Sequence, residues 1–168
     1  MVGDMEVAPR NASSTFSGRR SFLGPWANRI SSLSTQLDAS TDISAFKVRG
    51  GKLLLAHGLA DVLVSTRATE QYYQCLQSRF GPAGVDGFVR YHEVAGLGHA
   101  VSSVFNATWD PLSALEGWVE KSTGPAGQIT TDTARVPGRT RPLCDYPAWP
   151  RYKGSGDLNA AASFQCVR

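Results

Sequence analysis

The sequence contains no apolar run approaching the ~18 residues that a membrane-spanning helix needs. The apolar stretch at 53–56 is soon interrupted by His57, Gly58 and Asp61. Basic residues are not clustered either, because the net charge of +3 comes from scattered Arg and Lys. Residues 1–6 lack the basic and apolar regions of a signal peptide. We therefore expect no membrane or nucleic-acid partner, and we expect any export signal to lie upstream of Met1.

Cysteine is scarce: the chain has three in 168 residues, with no C-x-x-C pair and no histidine beside a cysteine pair. Zinc sites need such spacing, so the sequence predicts no metal and no other cofactor in this chain. We expect one disulfide and one remaining thiol. The alternative is three reduced thiols in a cytosolic protein.

The spacing of apolar residues predicts an alternation of strands and helices. The run at 52–56 is typical of a strand buried on both faces of a parallel sheet. A helix is expected from Ser65 to the Gly81-Pro82 pair, and a second strand over 88–94. The apolar face of this helix comprises Tyr72, Tyr73, Leu76 and Phe80. This order is that of an α/β sheet.

Shorter patterns complete the domain organisation. A brief helix is expected between Ser40 and Gly50, and another after Asp110-Pro111. The apolar face of the latter comprises Leu112, Leu115, Trp118 and Val119. We expect residues 1–40 to be irregular with room for one short helix, 41–123 to belong to the α/β domain, and 124–168 to be its long irregular tail.

Two candidate catalytic side chains follow the two predicted strands. Asp61 comes just after the first, and His99, preceded by Gly96 and Gly98, comes just after the second. Open α/β sheets build their sites at these strand ends. A structural role at a loop or helix start is the alternative for Asp61. His92 is interpreted as a partly buried strand residue, and His57 as a loop residue that shapes the Asp61 turn.

Together, Asp61 and His99 match the last two steps of the α/β-hydrolase triad order of serine, acid and histidine. In that triad the histidine takes the serine proton, and the acid orients and stabilises the imidazole. No G-x-S-x-G occurs, and the serines within 13–44 do not follow a predicted strand. We therefore expect the nucleophile to be missing from this chain.

Six segments in the same order resemble the tannase and feruloyl esterase family, and they extend over residues 42–168. They are 42–52, 57–61, 96–99, 110–120, 141–147, and 151–157 continuing to 164–166. The resemblance implies the C-terminal part of a secreted or periplasmic α/β-hydrolase that cleaves small aromatic esters, such as gallates or ferulates, through an acyl-enzyme. It places Asp61 at the triad acid and His99 at the base. It also implies that the nucleophile, the oxyanion hole and a lid with a calcium site precede this segment, so that activity needs the N-terminal half.

The chain departs from the family pattern beside His99. The family has Cys directly after the histidine, bonded to a Cys beside the nucleophile, but this chain has Ala100. Residues 101–106 also replace a glycine-rich continuation. The alternatives are therefore an ester hydrolase fragment and a catalytically inactive remnant that acts as a binding protein. A peptidase would share the Asp and His order, but the tail segments argue against it.

The cysteine pairing is predicted for the tail. We expect Cys144 and Cys166 to form the disulfide, while Cys75 lies on a helix without a partner and stays free. The separation of 22 residues closes a loop that would stabilise an aperiodic tail.

Overall fold

The structure, a computed structural model, describes residue 24 and residues 26–168. The chain divides into two units, residues 1–41 and residues 42–168, and each is described by itself. In the first unit, helix α1 spans Ala27–Leu37 and buries none of its side chains. It falls within the 1–40 segment, for which the sequence predicts irregular structure with room for one short helix. The remainder of that segment, at 1–23 and 25, lies outside the described residues.

The second unit alternates strands and helices before it ends in a series of short strands. Its elements are α2 (Ser44–Val48), β1 (Leu53–Gly58), α3 (Thr66–Phe80), α4 (Pro82–Asp86), β2 (Val89–Val94), β3 (Ala107–Thr108), α5 (Pro111–Lys121), β4 (Ile129–Asp132), β5 (Thr140–Pro142), β6 (Trp149–Tyr152), a 3₁₀ turn (Ala161–Ser163) and β7 (Phe164–Val167). No helix in the described part of the chain is long and apolar enough to cross a membrane.

Strands β1 and β2 are parallel neighbours joined through α3 and α4. Leu53 lies opposite Val89, and Gly58 lies opposite Val94, so both strands end at the same edge of the sheet. The predicted strands and the helix between them are confirmed. Helix α4 was not predicted from the sequence. It begins at Pro82, directly after α3, because proline suits the first position of a helix.

The main core lies between α3 and one face of this sheet. Tyr73 and Leu76 of α3 are buried against Val89 and Tyr91 of β2. The other two residues predicted on this helix face, Tyr72 and Phe80, are partly buried against the same core. The alternation along β2 turns His92 to the opposite face, where its ring lies edge-on to that of Trp109.

Two burial predictions are wrong. Strand β1 is not buried on both faces: Leu53, Leu54 and Leu55 are partly buried and Ala56 is exposed. The reason is that β1 pairs on one side only, with β2, within the described residues. The predicted apolar face of α5 is only partly buried, because Leu112 and Val119 are exposed. Trp118 is the buried residue of this helix, and the cationic groups of Arg90 and Lys52 lie over its ring.

The tail contains more regular structure than the sequence predicts. Strands β4 and β5 of the tail form an antiparallel sheet with β3, which precedes the tail, and β6 and β7 form a hairpin. The predicted disulfide joins Cys144 to Cys166, and Cys75 is free. The expectation of an irregular tail at 124–168 is thus corrected, although the disulfide that ties it is confirmed.

Candidate active site

The loops that follow β1 and β2 are held together by their backbones. The Leu59 N–H donates to the Val94 carbonyl at 3.0 Å, and the Ala60 N–H donates to the Leu97 carbonyl at 3.0 Å. A side chain at Gly58 would meet the Leu97 carbonyl at 2.3 Å, so only glycine permits this approach. The end of β1 therefore brings the Asp61 and His99 loops into contact.

Asp61 accepts hydrogen bonds at both carboxylate oxygens. Its Oδ1 accepts from the backbone N–H groups of Leu63 at 2.8 Å and Val64 at 2.9 Å. Its Oδ2 lies 3.0 Å from His99 Nδ1 and 3.2 Å from His57 Nε2. Oδ1 thus stabilises the loop through its backbone partners, whereas Oδ2 contacts the two histidines.

His99 is the more exposed member of the Asp61–His99 pair. Its side chain is 49% exposed, whereas that of Asp61 is 4% exposed. Gly96, at φ 80°, provides the turn that returns the chain toward Asp61 after β2. Because a carboxylate can only accept, His99 Nδ1 must carry the donated hydrogen, which leaves Nε2 on the far side of the ring. The two residues that follow the predicted strands are therefore in direct contact, through Asp61 Oδ2 and His99 Nδ1.

The Asp61 carboxylate is held in its ionised form. The Val64 N–H makes the largest contribution to lowering its pKa, and His99, the Leu63 N–H and His57 act in the same direction. Burial opposes them and is outweighed, so the pKa lies well below its usual value of 3.8. An ionised carboxylate against an imidazole is the arrangement that stabilises an imidazolium.

His57 also contacts Asp61, and its second contact, with Thr69, was not predicted from the sequence. It lies within β1 rather than in a loop, and its Nδ1 is 2.7 Å from the Thr69 hydroxyl of α3. The four-residue spacing from His57 to Asp61 across a turn was the available signal. The interpretation of His57 is correct in one respect, because His57 does bond Asp61. It is wrong in another, because His57 lies in strand β1 and not in a loop.

The segment after His99 is fixed by the tail. Arg139 donates to the Val104 carbonyl at 2.7 Å, and the Asn106 N–H donates to the Asp132 carboxylate at 3.0 Å. Ser102 donates its hydroxyl to the Gly96 carbonyl at 2.6 Å. The loop at 101–106, which follows Ala100, is therefore well bonded.

No nucleophile is evident among the described serines of the 13–44 range. Ser31, Ser32 and Ser34 lie on α1, and Ser40 and Ser44 also precede the first strand of the described residues, which begins at Leu53. The serines at 13, 14, 17 and 21 lie outside the described residues. Within the described part of the chain, no three His, Cys, Asp or Glu side chains are grouped so as to hold a metal ion.

The two parallel strands are joined through helices, with an acid after the first strand and a histidine after the second. This arrangement is that of the late part of an α/β-hydrolase fold. The solved structure of feruloyl esterase B from Aspergillus oryzae matches at a TM-score of 0.70 and 23% identity, covering 85% of this chain and 33% of that one. This likeness establishes the fold.

The family model described as tannase and feruloyl esterase matches residues 14–167. An uncharacterised esterase of Agrobacterium fabrum is 40% identical over 86% of this chain and 26% of its own length. The mono(2-hydroxyethyl) terephthalate hydrolase of Piscinibacter sakaiensis is 42% identical over 76% of this chain and 22% of its own. The chain belongs to the tannase and feruloyl esterase family, and it spans about a quarter of the length of these relatives.

Proposed function

We propose that this chain is the C-terminal part of a carboxylic ester hydrolase, in which Asp61 is the triad acid and His99 the triad base. The observation that carries the proposal is the 3.0 Å contact between Asp61 Oδ2 and His99 Nδ1 at the end of two parallel strands. The nucleophilic serine, the oxyanion hole, and a lid with its calcium site belong to a preceding part of the complete protein.

In this mechanism His99 Nε2 accepts the serine proton as the serine oxygen bonds to the acyl carbon of the ester. His99 then gives that proton to the departing alcohol, which leaves an acyl-enzyme. Water, activated by the same nitrogen, releases the acid and restores the serine. Asp61 stays ionised throughout and stabilises the imidazolium, which the low pKa of its carboxyl favours.

Esters of aromatic acids are the proposed substrates. The names of the relatives refer to feruloyl esters and to a terephthalate monoester, and both are esters of aromatic carboxylic acids. A secreted or periplasmic location is proposed as well, because the Cys144–Cys166 disulfide persists in oxidising compartments.

A chimera tests the catalytic roles. Residues 42–168 would replace the matching segment of the mono(2-hydroxyethyl) terephthalate hydrolase, whose own nucleophile would then face Asp61 and His99. We expect turnover of mono(2-hydroxyethyl) terephthalate, with a loss in kcat of about 10⁶-fold in His99→Ala and about 10⁴-fold in Asp61→Asn. Asp157→Asn, which changes an exposed carboxylate of the tail, is the matched control and should retain turnover.

A folded chimera whose turnover is unaffected by either substitution would contradict the proposal. A folded chimera without turnover would instead favour the second candidate, a binding protein without catalysis. The observation behind this candidate is the exposure of Leu59, Val62, Leu63 and Val64 around Asp61, and of Val101 beside His99. Exposed apolar side chains in one region mark interaction surfaces.

A further inference from the structure

A second histidine, His57, shares the Asp61 carboxylate with His99. Its Nε2 lies 3.2 Å from Asp61 Oδ2, and its Nδ1 lies 2.7 Å from the Thr69 hydroxyl. Its side chain is 12% exposed, so water offers little competition for these bonds. Both ring nitrogens of His57 therefore have protein partners, one on each side of the ring.

The identity of these partners determines the tautomer of His57. A carboxylate oxygen only accepts hydrogen bonds, so Nε2 must carry the hydrogen that it shares with Asp61. In the neutral ring Nδ1 then accepts, and the Thr69 hydroxyl can donate to it. Asp61 thus sets the tautomer of His57, and the Thr69 hydroxyl, which can donate or accept, complements it by donating to Nδ1.

The two histidines cannot exchange roles. His99 is 49% exposed and has its Nε2 on the side of the ring away from Asp61, where an outside group can reach it. His57 has Nε2 bonded to Asp61 and Nδ1 bonded to Thr69. A base needs a nitrogen that is accessible to the proton it removes, so His57 is unsuited to that task.

We propose that His57 is a positioning residue, which holds Asp61 Oδ2 in the orientation that faces His99 Nδ1. The backbone N–H groups of Leu63 and Val64 fix Oδ1, and the largely buried side chain of His57 fixes Oδ2. Rotation of the carboxylate away from His99 would then break bonds at both oxygens. The catalytic meaning of this role rests on the proposed function, but the hydrogen-bond geometry does not.

Nuclear magnetic resonance of the 168-residue chain with ¹⁵N-labelled histidine tests the geometry without any assay of activity. In the wild type we expect His57 to be protonated at Nε2 and not at Nδ1. We also expect a low-field Nδ1–H proton from His99, hydrogen-bonded to Asp61. In His57→Leu, which removes the donor, this proton should shift and exchange faster with water, whereas His57→Gln should restore its position because the glutamine Nε2 can donate.

Two further variants separate positioning from general loss of structure. Thr69→Val removes the hydrogen bond at Nδ1 and should leave His57 protonated at Nε2, because Asp61 sets this tautomer. His92→Gln replaces a buried histidine on the opposite sheet face and should leave the His99 proton unchanged. A His57 ring protonated at Nδ1 in the wild type, or a His99 proton unaffected in a folded His57→Leu chain, would overturn the proposal.

The chimera supplies a kinetic readout of the same role. There, His57→Leu should lower kcat by roughly 10- to 100-fold with little change in KM, because a misplaced orienting group acts on the chemical step. His57→Gln should recover part of this loss. If the chimera is inactive while the resonance pattern is as expected, the proposed function fails and the positioning role stands.

Discussion

Outside the candidate site, the carboxylate of Asp132 accepts four hydrogen bonds. It is fully buried at the end of β4. Burial opposes its ionisation, but the N–H groups of Ala134, Asn106 and Val136 and the guanidinium of Arg139 lower the pKa to about 2. Since Asn106 belongs to the segment after His99, Asp132 connects the tail to the loop that carries the proposed base.

Asp132→Asn should destabilise the chain, because an amide in place of one carboxylate oxygen would direct N–H groups at the Val136 and Arg139 donors. We expect a Tm lower by roughly 5–10 °C at pH 7. The folded-state pKa is depressed, so the contribution is present above the ordinary value of 3.8 and is lost as the pH falls toward about 2. The Tm difference from the wild type should therefore shrink over that interval.

Thermal unfolding followed by circular dichroism between neutral and acidic pH measures this difference. Asp157→Asn is again the control, since its exposed carboxylate bonds only the nearby Asn159 N–H among the described contacts. An equal Tm difference at both ends of the pH range would contradict the assignment to Asp132 ionisation.

The sequence identified Asp61 and His99 because their order and their placement after strands are local patterns. The contact between them follows from the parallel pairing of β1 with β2, which the apolar spacing also predicts. The spacing of His57 from Asp61 also indicated their proximity, but the second partner of His57 could not be found in this way. Its partner Thr69 lies on α3, and only the packing of that helix on the sheet brings the hydroxyl to Nδ1.

At the scale of elements, the long periodic segments were predictable and the short ones were not. Helix α3 has 15 residues with an apolar face from Tyr72 to Phe80, and α5 has an N-cap in Asp110, which accepts from the Ser113 N–H. Strands β3 to β7 have two to four residues each, which is too few to show an alternation of side chains. Their pairing depends on contacts far apart in the chain, such as Pro150 with Cys166.

The disulfide is expected to stabilise this tail. Replacing both Cys144 and Cys166 by Ser should lower the free energy of unfolding by about 3 kcal/mol, because the bond closes a loop with a separation of 22 residues. Urea denaturation measures the loss, and hydrogen exchange should show faster opening of the β6–β7 hairpin. Cys75→Ser is the control, since Cys75 takes no part in the bond. Unchanged stability in the double variant would contradict a structural role for the disulfide.

At the scale of the whole molecule, the proposed function makes this chain one part of a composite site. Two neighbouring strands bring Asp61 and His99 to one sheet edge, and in the proposed mechanism a third group acts at the exposed side of His99. The relatives are about four times longer than the part of them that this chain matches. The division of the proposed triad between segments far apart in sequence is ordinary for α/β-hydrolases, in which the serine precedes the acid and the histidine.

The 168-residue chain alone should therefore show no measurable serine-esterase turnover. Removal of a triad nucleophile costs several orders of magnitude, and the residual catalysis in such variants comes from the oxyanion hole and substrate binding. The proposed function places both of these outside the chain, so His99 would act on water without the preorganised donors that supply the largest stabilisation of an oxyanion. A purified, monodisperse sample would be assayed with methyl ferulate, methyl gallate and p-nitrophenyl acetate beside a His99→Ala control. Equal, background rates are expected. Turnover clearly above the control would contradict the missing nucleophile and would direct the search to the serines within 13–44.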